Sequence, residues 1–420
     1  MSSYDADVII VGAGPAGSLA AYELATKGVR VLILEKSQFP RYKICGGGVT
    51  HKTLSEIPFD IKPVIESTIH SIHFSHQFNE AFTRTSADPI MYCTMRSDLD
   101  AFLLDQAINA GVNVQMNEHV WEIKENDDEI VVSTMKRDFR SKLLIGAEGA
   151  SSIVARTFKL WDHITSGLAW EAEIRTDPAL VSVFSETVFL DWGTFSGGYG
   201  WAFPKKDHFS IGVGGPATLS HLMMPYYDKF IDHFMKSLKT GGDAGKQNKP
   251  GLPEYQTISL KSWPIPVRTS KSSFHHGSVL ITGDAAGLTD PLTGEGIYYA
   301  IRSGKLAAKS CHDFLSGKPD AMALYSDRVN DELMSELLEA NKIKNLFNVF
   351  PKRIHHFVKD SDRAWSAFVK ILRGERWYAD VRNGFGKMKP FWNIICAVSG
   401  WNEKGKERRL SWQKKKTHRR

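Results

Sequence analysis

The hydrophobic pattern of the chain changes period across a short glycine-rich turn near the N-terminus. Residues 7–36 start with a β-branched apolar run, continue after the glycines as an Ala/Leu-rich segment, and end in a second apolar run. Short continuous apolar runs indicate buried strands, and the segment between them has the composition of a helix. The pattern predicts one strand–helix–strand unit.

The same pattern recurs in distant parts of the chain. Apolar residues at helical spacing after Arg96 predict a helix that stops near Gly111. Residues 142–152 read as a buried strand followed by a polar, glycine-bearing turn, and residues 278–304 repeat the order of strand, glycine turn and helix. These non-contiguous segments therefore predict one domain built from repeated units of strand, glycine turn and helix.

Other segments have different patterns. Residues 161–267 contain short aromatic and β-branched runs separated by Gly, Asp and Pro, which predict an antiparallel sheet in a second domain. Leucines and isoleucines beyond residue 330 predict helices, and the Gly/Lys/Cys-rich residues 41–49 predict a loop. The predicted fold class is α/β: a Rossmann-type domain, an inserted antiparallel β-sheet domain for the substrate, and a C-terminal helical region. The expected boundaries are 1–60, 92–160 and 268–330 for the Rossmann-type domain, 61–91 and 161–267 for the sheet domain, 331–403 for the helical region, and 404–420 for a basic tail.

Composition narrows the class of protein. The 420 residues are 42% hydrophobic and 24% charged, which is typical of folded soluble proteins. The apolar runs are shorter than the roughly 18 residues of a membrane span, and few residues precede the first strand, so we expect a cytoplasmic protein without a signal peptide. The spacings of Cys45, Cys93, Cys311 and Cys396 match neither a zinc site nor a disulfide scaffold, and His275 and His276 have no ligand cluster around them. We therefore expect reduced thiols and no metal.

Positive charge is concentrated at the C-terminus. Residues 404–420 carry nine Lys or Arg and one acid, Glu407, so their net charge is +8, whereas the other 403 residues sum to −2. The tail follows the apolar residues 391–401 and contains Trp412. These features predict peripheral contact with an anionic membrane, on its inner face. A solvated disordered tail or a nucleic-acid contact are the alternatives, but no nucleic-acid-binding motif accompanies the charge, so we expect no nucleic-acid partner.

The strongest chemical motif is Gly12-x-Gly14-x-x-Gly17, followed by Glu35 at the end of the next strand. The first glycine permits a tight turn, the second lets a pyrophosphate approach the backbone, and the third lets helix and strand pack closely. The phosphates then meet the positive N-terminus of the helix. A carboxylate at Glu35 would accept hydrogen bonds from the adenosine ribose. Chance glycines in a turn are the alternative, but strand, helix and acid all stand in the required order.

Three motifs together resemble those of the para-hydroxybenzoate-hydroxylase-type flavoproteins. They are GAGPAG at 12–17, GAEGASS at 146–152 and GDAAGLTDPLTGEGI at 283–297. The resemblance implies non-covalent FAD, with Asp284 at the ribityl or pyrophosphate portion, the turn from Gly294 to Ile297 near the isoalloxazine, and Arg96 in contact with the cofactor. Glu148 stands where this superfamily usually has Asp. The implied cofactor-binding residues are Gly12, Gly14, Pro15, Ala16, Gly17, Glu35, Lys36, Cys45, Gly46, Gly47, Arg96, Gly283, Asp284, Gly294, Gly296 and Ile297.

Two further segments resemble the geranylgeranyl reductase branch of this superfamily. Lys43 to Gly47 is similar to its KxCGG segment, and Tyr199 to Pro204 is similar to its YxWxFP signature. On a strand, Tyr199, Trp201 and Phe203 would share one face. This aromatic face suits a polyprenyl chain, although the Phe203 ring could equally be a core side chain.

The resemblance implies reduction of carbon–carbon double bonds in an isoprenoid lipid by hydride transfer from reduced flavin. Cys45, Tyr199 and Trp201 are the candidate catalytic residues, with Cys45 favoured as a packing residue over a proton donor. Residues 211–220 lack the glycine spacing of a second dinucleotide site, so we expect either transiently bound NAD(P)H or a reduced protein as electron donor. The alternative functions are a flavin-dependent monooxygenase of an aromatic or lipid substrate and a flavin-binding electron-transfer protein.

Overall fold

A computed structural model describes residues 4–126, 129–240 and 253–384. The strands in these residues are β1 (Val8–Val11), β2 (Val31–Glu35), β3 (Gly48–Thr50), β4 (Ile65–Ile69), β5 (Ser71–His76), β6 (Asn79–Thr85), β7 (Met91–Thr94), β8 (Asn113–Met116), β9 (Val120–Glu125), β10 (Ile130–Thr134), β11 (Asp138–Ser141), β12 (Leu143–Gly146), β13 (Ile164–Arg175), β14 (Thr187–Trp192), β15 (Tyr199–Pro204), β16 (Phe209–Pro216), β17 (Gln256–Arg268), β18 (His275–His276) and β19 (Val279–Ile281). The helices are α1 (Pro15–Ala25), α2 (His51–Glu56), α3 (Arg96–Asn109), α4 (Ile153–Thr157), α5 (Pro178–Val183), α6 (Met223–Thr240), α7 (Ile297–Leu315), α8 (Ala321–Val329), α9 (Ser335–Val349), α10 (Pro351–Asp360), α11 (Asp362–Arg373) and α12 (Tyr378–Gly384).

The first sheet has the strand order β18-β19-β12-β1-β2-β8, and β1 pairs in parallel with both β2 and β12. All residues of β1 and β2 are buried, as expected for strands covered on both faces. Pro15 occupies the first turn of α1, where its missing N–H costs no hydrogen bond. The N-terminal strand–helix–strand unit is confirmed, and strands from distant segments complete its sheet.

Helix α3 begins at Arg96 as the apolar spacing predicts. It ends at Asn109, and Gly111 follows with φ +100°, a left-handed conformation that favours glycine. Leu99 and Leu103 on its buried side pack against Leu19 of α1. The helix therefore holds Arg96 at a fixed position beside the glycine-rich turn.

The second large sheet has the order β17-β13-β16-β15-β14-β5-β6. It departs from the expected antiparallel arrangement at one pair, since β5 and β14 run parallel. A long stretch of chain separates these two strands, and such a crossover allows parallel pairing. The sequence pattern also missed α6 within this region.

The two faces of this sheet have different partners. Helix α6 covers one face, where Phe189, Ala202 and Ile211 pack against Phe230 and Phe234. Since side chains alternate along a strand, the neighbouring residues point to the other face, which is turned toward the glycine-rich turns of the first sheet. Tyr199, Trp201 and Phe203, which the sequence predicts to form an aromatic face, lie on this second face.

Helices α9 to α11 enclose the far end of that face. Phe347 of α9 contacts Trp192 edge to face, with ring centroids 5.0 Å apart, and Phe368 of α11 contacts Phe74 at 6.3 Å. An ion pair of 2.5 Å between Arg84 and Asp362 joins β6 to α11. Within the described ranges, no helix is long and apolar enough to cross a bilayer. Residues 391–401 and the basic tail 404–420 lie outside the described residues.

Candidate active site

A continuous cavity of about 1290 Å³ runs between the two large sheets and the C-terminal helices. Small-molecule sites usually measure roughly 300–1,000 Å³. This cavity is lined at one end by the glycine-rich turn after β1 and at the other by apolar side chains of β5, β14, α9 and α11. It has room for a dinucleotide and a second ligand.

The glycine turn has open space at one position only. Gly12 has φ +98°, and a Cβ there would lie 2.6 Å from the carbonyl oxygen of Ala147. A Cβ at Gly17 would lie 2.0 Å from the carbonyl oxygen of Gly12. At Gly14, by contrast, the nearest atom would be Arg41 Nη2 at 3.8 Å. Among the described residues no side chain caps the N-terminus of α1, and the amide groups of this helix start, which lies at the cavity, favour an anion.

Glu35 lies at the end of β2 in the wall of the cavity and is buried. Its carboxylate accepts hydrogen bonds from the backbone N–H of Ala13 and of Ser37, both at 2.8 Å. These bonds fix the glycine turn and the carboxylate relative to each other. Lys36, next in the chain, also borders the cavity.

Arg96 also borders the cavity, and the Asp100 carboxylate fixes the orientation of its guanidinium group. Nε and Nη2 donate to the two carboxylate oxygens of Asp100, each at 2.8 Å, and Arg41 reaches the same carboxylate at 3.2 Å. Burial alone would lower the pKa of Arg96, but the interactions with Asp100 and Cys45 raise it by more. The pKa of this guanidinium therefore lies above its usual value. The Arg96 guanidinium therefore stays charged beside the cavity, and the Arg41 side chain lies next to it.

The turn after β12 keeps its hydrogen bonds with glutamate in place of aspartate. Glu148 Oε1 accepts from Ser152 Oγ at 2.8 Å and from the N–H of Val154 at 2.7 Å, so it satisfies the start of α4. Burial raises the pKa of this carboxyl. The longer side chain reaches the helix that follows.

The segment from Gly283 to Ile297 contributes a second turn. Asp284 stands in a short 3₁₀ helix and borders the cavity, while Asp290 accepts from the N–H groups of Leu292 and Thr293 at 2.7 and 3.2 Å. Glu295 forms a buried ion pair of 2.6 Å with Lys52. Gly294 has φ +74°, and a Cβ there would lie 2.3 Å from the Tyr199 hydroxyl. The turn is fixed from both sides and packs closely against β15.

The loop from Lys43 to Gly48 packs against the aromatic residues of β15. A Cβ at Gly46 would lie 2.7 Å from the Phe203 ring, and Gly46 O accepts from the buried Lys205 Nζ at 2.6 Å. Cys45 Sγ accepts from the N–H of Gly47 at 3.4 Å. The two motifs of the geranylgeranyl reductase branch thus meet in one wall of the cavity.

Tyr199, Trp201 and Phe203 point to the same face of β15 and all three border the cavity. The Trp201 ring lies flat on β16, where a Cβ at Gly212 would be 2.2 Å from it. The Tyr199 hydroxyl donates to the Thr293 carbonyl at 3.4 Å, and burial raises the pKa of this phenol, so it is protonated at neutral pH. Phe203 is both a wall residue and a packing residue for the glycine loop.

Sequence analysis missed one polar residue in this wall. Glu171 of β13 is fully buried and accepts from the Cys45 N–H at 2.8 Å through Oε1. Burial, followed by the charge of Glu173, raises the pKa of Glu171 to about 7. Two acids at alternate positions of an otherwise apolar strand, Glu171 and Glu173, were the available signal, since charged residues on a buried strand face are costly.

These features fit FAD. The open space at Gly14 meets an uncapped helix N-terminus, which suits a pyrophosphate, and Glu35 offers carboxylate oxygens to a ribose. The guanidinium groups of Arg41 and Arg96 border the same space and suit an anionic cofactor. The cavity continues past this end to the Gly294–Ile297 turn, Cys45 and Trp201.

Comparisons with known proteins agree with the geometry. A family profile described as an FAD binding domain matches residues 5–192. An uncharacterized protein of Methanosarcina barkeri is 33% identical over 304 residues, which cover 72% of this chain and 73% of that protein. A geranylgeranyl diphosphate reductase of Rhodobacter capsulatus is 29% identical, with 76% and 78% of the chains covered.

Solved structures include the same fold. The crystal structure of a geranylgeranyl bacteriochlorophyll reductase-like protein from Thermoplasma acidophilum superposes with a TM-score of 0.73 at 22% identity, covering 87% of this chain and 96% of that one. The fold and the comparisons together define an FAD-dependent oxidoreductase. Within that class, the chain belongs to the geranylgeranyl reductase family.

We expect the purified protein to be yellow and to release free FAD on denaturation. No histidine–flavin attachment motif occurs in the sequence, and the binding features are hydrogen-bond donors and acceptors. Chromatography of the supernatant after heat or acid denaturation measures this. Flavin that stays with the precipitated chain, or release of FMN instead, would contradict the expectation.

Proposed function

We propose that this protein reduces carbon–carbon double bonds of an isoprenoid lipid chain by hydride transfer from reduced FAD. The observation that supports this most is the continuity of the cavity: its dinucleotide end opens directly into an apolar arm. The arm is lined by Ile72, Phe74, Leu190, Trp192, Phe347 and Phe368. Such a lining matches a hydrocarbon chain and offers few partners to a polar substrate.

The residues that would hold FAD are those of the two glycine-bearing turns. Gly12 to Gly17 and Glu35 would bind the adenosine and pyrophosphate, whereas Arg96, Asp284 and the Gly294–Ile297 turn would bind the flavin half. When bound and reduced, FAD supplies the hydride for the double bond. The protein supplies orientation and keeps water out.

Three side chains would place the prenyl chain. Trp201 and Tyr199 form an aromatic wall at the junction of the cofactor end and the apolar arm, with ring centroids 5.4 Å apart and ring planes tilted by 40°. The Tyr199 hydroxyl is already engaged with the Thr293 carbonyl, which favours a positioning role. Cys45 lies in the loop beside them, and its thiol accepts from Gly47, which favours packing over proton donation.

Mass spectrometry of lipids from cells with and without the gene tests the proposal. We expect prenyl chains to retain more double bonds when the gene is absent, with each missing reduction leaving the lipid two hydrogens lighter. Lipids that instead lose a hydroxyl group would indicate a monooxygenase. Unchanged lipids, with flavin that is reduced but never reoxidised by a prenyl lipid, would indicate an electron-transfer protein.

The electron source is also a proposal. Strand β16 is an inner strand of the second sheet and leads through a 3₁₀ helix, Ala217–Leu222, into α6, so it does not have the glycine turn of a second dinucleotide site. NAD(P)H would therefore bind transiently at the same flavin, or a reduced protein would deliver the electrons. Stopped-flow reduction of the flavin by NADH, NADPH or dithionite-reduced ferredoxin separates these donors.

We expect the basic tail to bring the enzyme to anionic membranes. Each Lys or Arg near an anionic leaflet contributes about 1 kcal/mol, and the tail carries a net charge of +8. Full-length protein should sediment with anionic vesicles at low salt, and a version ending at Glu403 should stay in solution. Equal sedimentation of the two versions, or binding of the full chain to neutral vesicles alone, would contradict an electrostatic tether.

A further inference from the structure

The wall of the cavity contains a buried carboxyl group with one free oxygen. Glu171 Oε1 is held by the Cys45 N–H at 2.8 Å, whereas Oε2 has no hydrogen-bond partner among the residues that the structure describes. The Trp201 indole N–H approaches this carboxyl without reaching good hydrogen-bond geometry, and its nitrogen also lacks a partner there. Buried polar atoms are normally paired, so an unpaired one at a cavity points to a ligand or a reaction.

The position of Glu171 lies between the two ends of the cavity. Glu171 borders the same space as Cys45 and Trp201. Its charge adds, after burial, to the raised pKa of Tyr199. On the adjacent position of the same strand face, Glu173 accepts from Ser210 Oγ at 2.6 Å and is hydrogen-bonded to His208 Nε2 at 3.1 Å. His208 Nδ1 lies 2.6 Å from Asp207, whose side chain is largely exposed. A series of titratable groups thus leads from solvent toward Glu171.

We propose that Glu171 supplies the proton for the reduction, giving it to one alkene carbon while the other receives the hydride. This inference rests on the proposed function. A new C–H bond forms at each carbon as the π bond is lost, the O–H bond of Glu171 breaks, and the two electrons come from reduced FAD, which becomes oxidised. The carboxylate regains its proton from solvent, on the side of Glu173 and His208.

Electrostatics agrees with this role. Burial and the charge of Glu173 raise the pKa of Glu171 to about 7, so near neutral pH a large share of the molecules carry the proton and can give it up readily. Burial alone would raise the pKa of Glu173, but hydrogen bonds from His208 and Ser210 lower it by more. Glu173 therefore stays charged. Tyr199 and Cys45 are the other candidate donors. The raised pKa of Tyr199 makes its phenol a poorer acid than Glu171.

Other charged and titratable groups face Glu171 from each element packed around it. They are Glu173 on the same strand, Lys261 directly opposite on β17, Lys205 after β15, Tyr199 on β15, and Cys45 and Tyr42 in the glycine loop. Tyr227 of α6 lies behind the sheet, on its other face, where burial and, to a smaller extent, the charge of Glu171 raise the pKa of its phenol. Lys205 opposes the effect of Glu173, since its positive charge lowers the pKa of Glu171. Among these groups, Glu173 contributes most to raising it.

The test compares Glu171→Gln and Glu173→Gln with the wild type as FAD-loaded, photoreduced proteins. Gln keeps the acceptor for the Cys45 N–H, so the fold is retained. For Glu171→Gln we expect reoxidation of the flavin by a prenyl lipid to slow by roughly 10²–10⁴-fold, the range for loss of a general acid. Asp191→Asn, a buried carboxyl on the opposite sheet face, should keep the wild-type pH profile.

The pH dependence separates a donor from a structural residue. Since the protonated form is active, the wild-type rate should be constant below about pH 7 and fall above it. Glu173→Gln removes a negative neighbour, lowers the pKa of Glu171, and should move this alkaline limb to lower pH. An infrared titration of the oxidised proteins, which needs no turnover, should show one carboxyl with a midpoint near 7 in the wild type and none in Glu171→Gln.

Two results would overturn the inference. One is a wild-type reoxidation rate in FAD-loaded Glu171→Gln; the other is an alkaline limb that survives this substitution. Failure of the proposed function looks different, because then the wild type itself is not reoxidised by any prenyl lipid.

Discussion

Replacing Gly14 with valine is expected to lower the affinity for FAD by roughly 5- to 150-fold, because forcing extra atoms into a close-packed contact costs about 1–3 kcal/mol. Gly14 has φ −70° and ψ −178°, which any residue adopts, and the space at its Cβ is open in the protein. The side chain would therefore fit the apoprotein and compete only with the pyrophosphate. Fluorescence titration of the apoprotein with FAD measures the change.

Gly17→Ala provides the contrast. Its Cβ would lie 2.0 Å from the Gly12 carbonyl oxygen, so this variant should lose stability as well as FAD, by about 1–3 kcal/mol of unfolding free energy. Thermal unfolding of the two apoproteins distinguishes them. A folded Gly14→Val protein with wild-type affinity for FAD would show that the pyrophosphate does not approach this backbone.

Trp201→Ala should slow turnover of a prenyl lipid, on the order of 100-fold, as misplacement of a substrate can do. The ring is 7% exposed, lies against Gly212 and borders the cavity, so its removal widens the wall on which the prenyl chain would rest. FAD content should stay near that of the wild type, because Trp201 lies beyond the dinucleotide turns. Stability should fall by roughly 3–5 kcal/mol from the lost burial.

Phe230→Ala is the matched control for this stability cost. Phe230 of α6 is also buried and packs against Gly200 of β15, the strand that carries Trp201, but from the face covered by α6. It should lose comparable stability and keep its turnover at temperatures where both variants are folded. Wild-type kinetics in folded Trp201→Ala protein would place the indole outside the substrate site.

The order of local patterns was enough to predict the first domain. The turn with Gly12, Gly14 and Gly17, the start of α3 at Arg96 and the turn after β19 each have a strong local cause in backbone conformation or apolar spacing. Such causes act within a few residues and can be read from the chain. The assignment of roles to individual cofactor-binding residues stays a prediction.

Long-range features could not be read in this way. The parallel pairing of β5 with β14 depends on a crossover between segments more than a hundred residues apart, and α6 was missed inside a region read as strands. The alternating acids Glu171 and Glu173 were a local signal, but the burial of Glu171 follows only from the packing of α6 on one sheet face and of the Cys45 loop on the other. Whether a charged side chain is buried depends on packing between distant segments, so the local sequence does not determine it.

The central claim is that one cavity joins flavin chemistry to a prenyl chain, and anaerobic single turnover tests it most directly. The photoreduced enzyme is mixed without oxygen with a geranylgeranylated lipid, and flavin absorbance and lipid mass are followed together. We expect the flavin to reoxidise and the lipid to gain two hydrogens for each flavin oxidised. Flavin that stays reduced until oxygen enters, with a hydroxylated lipid as product, would contradict the account.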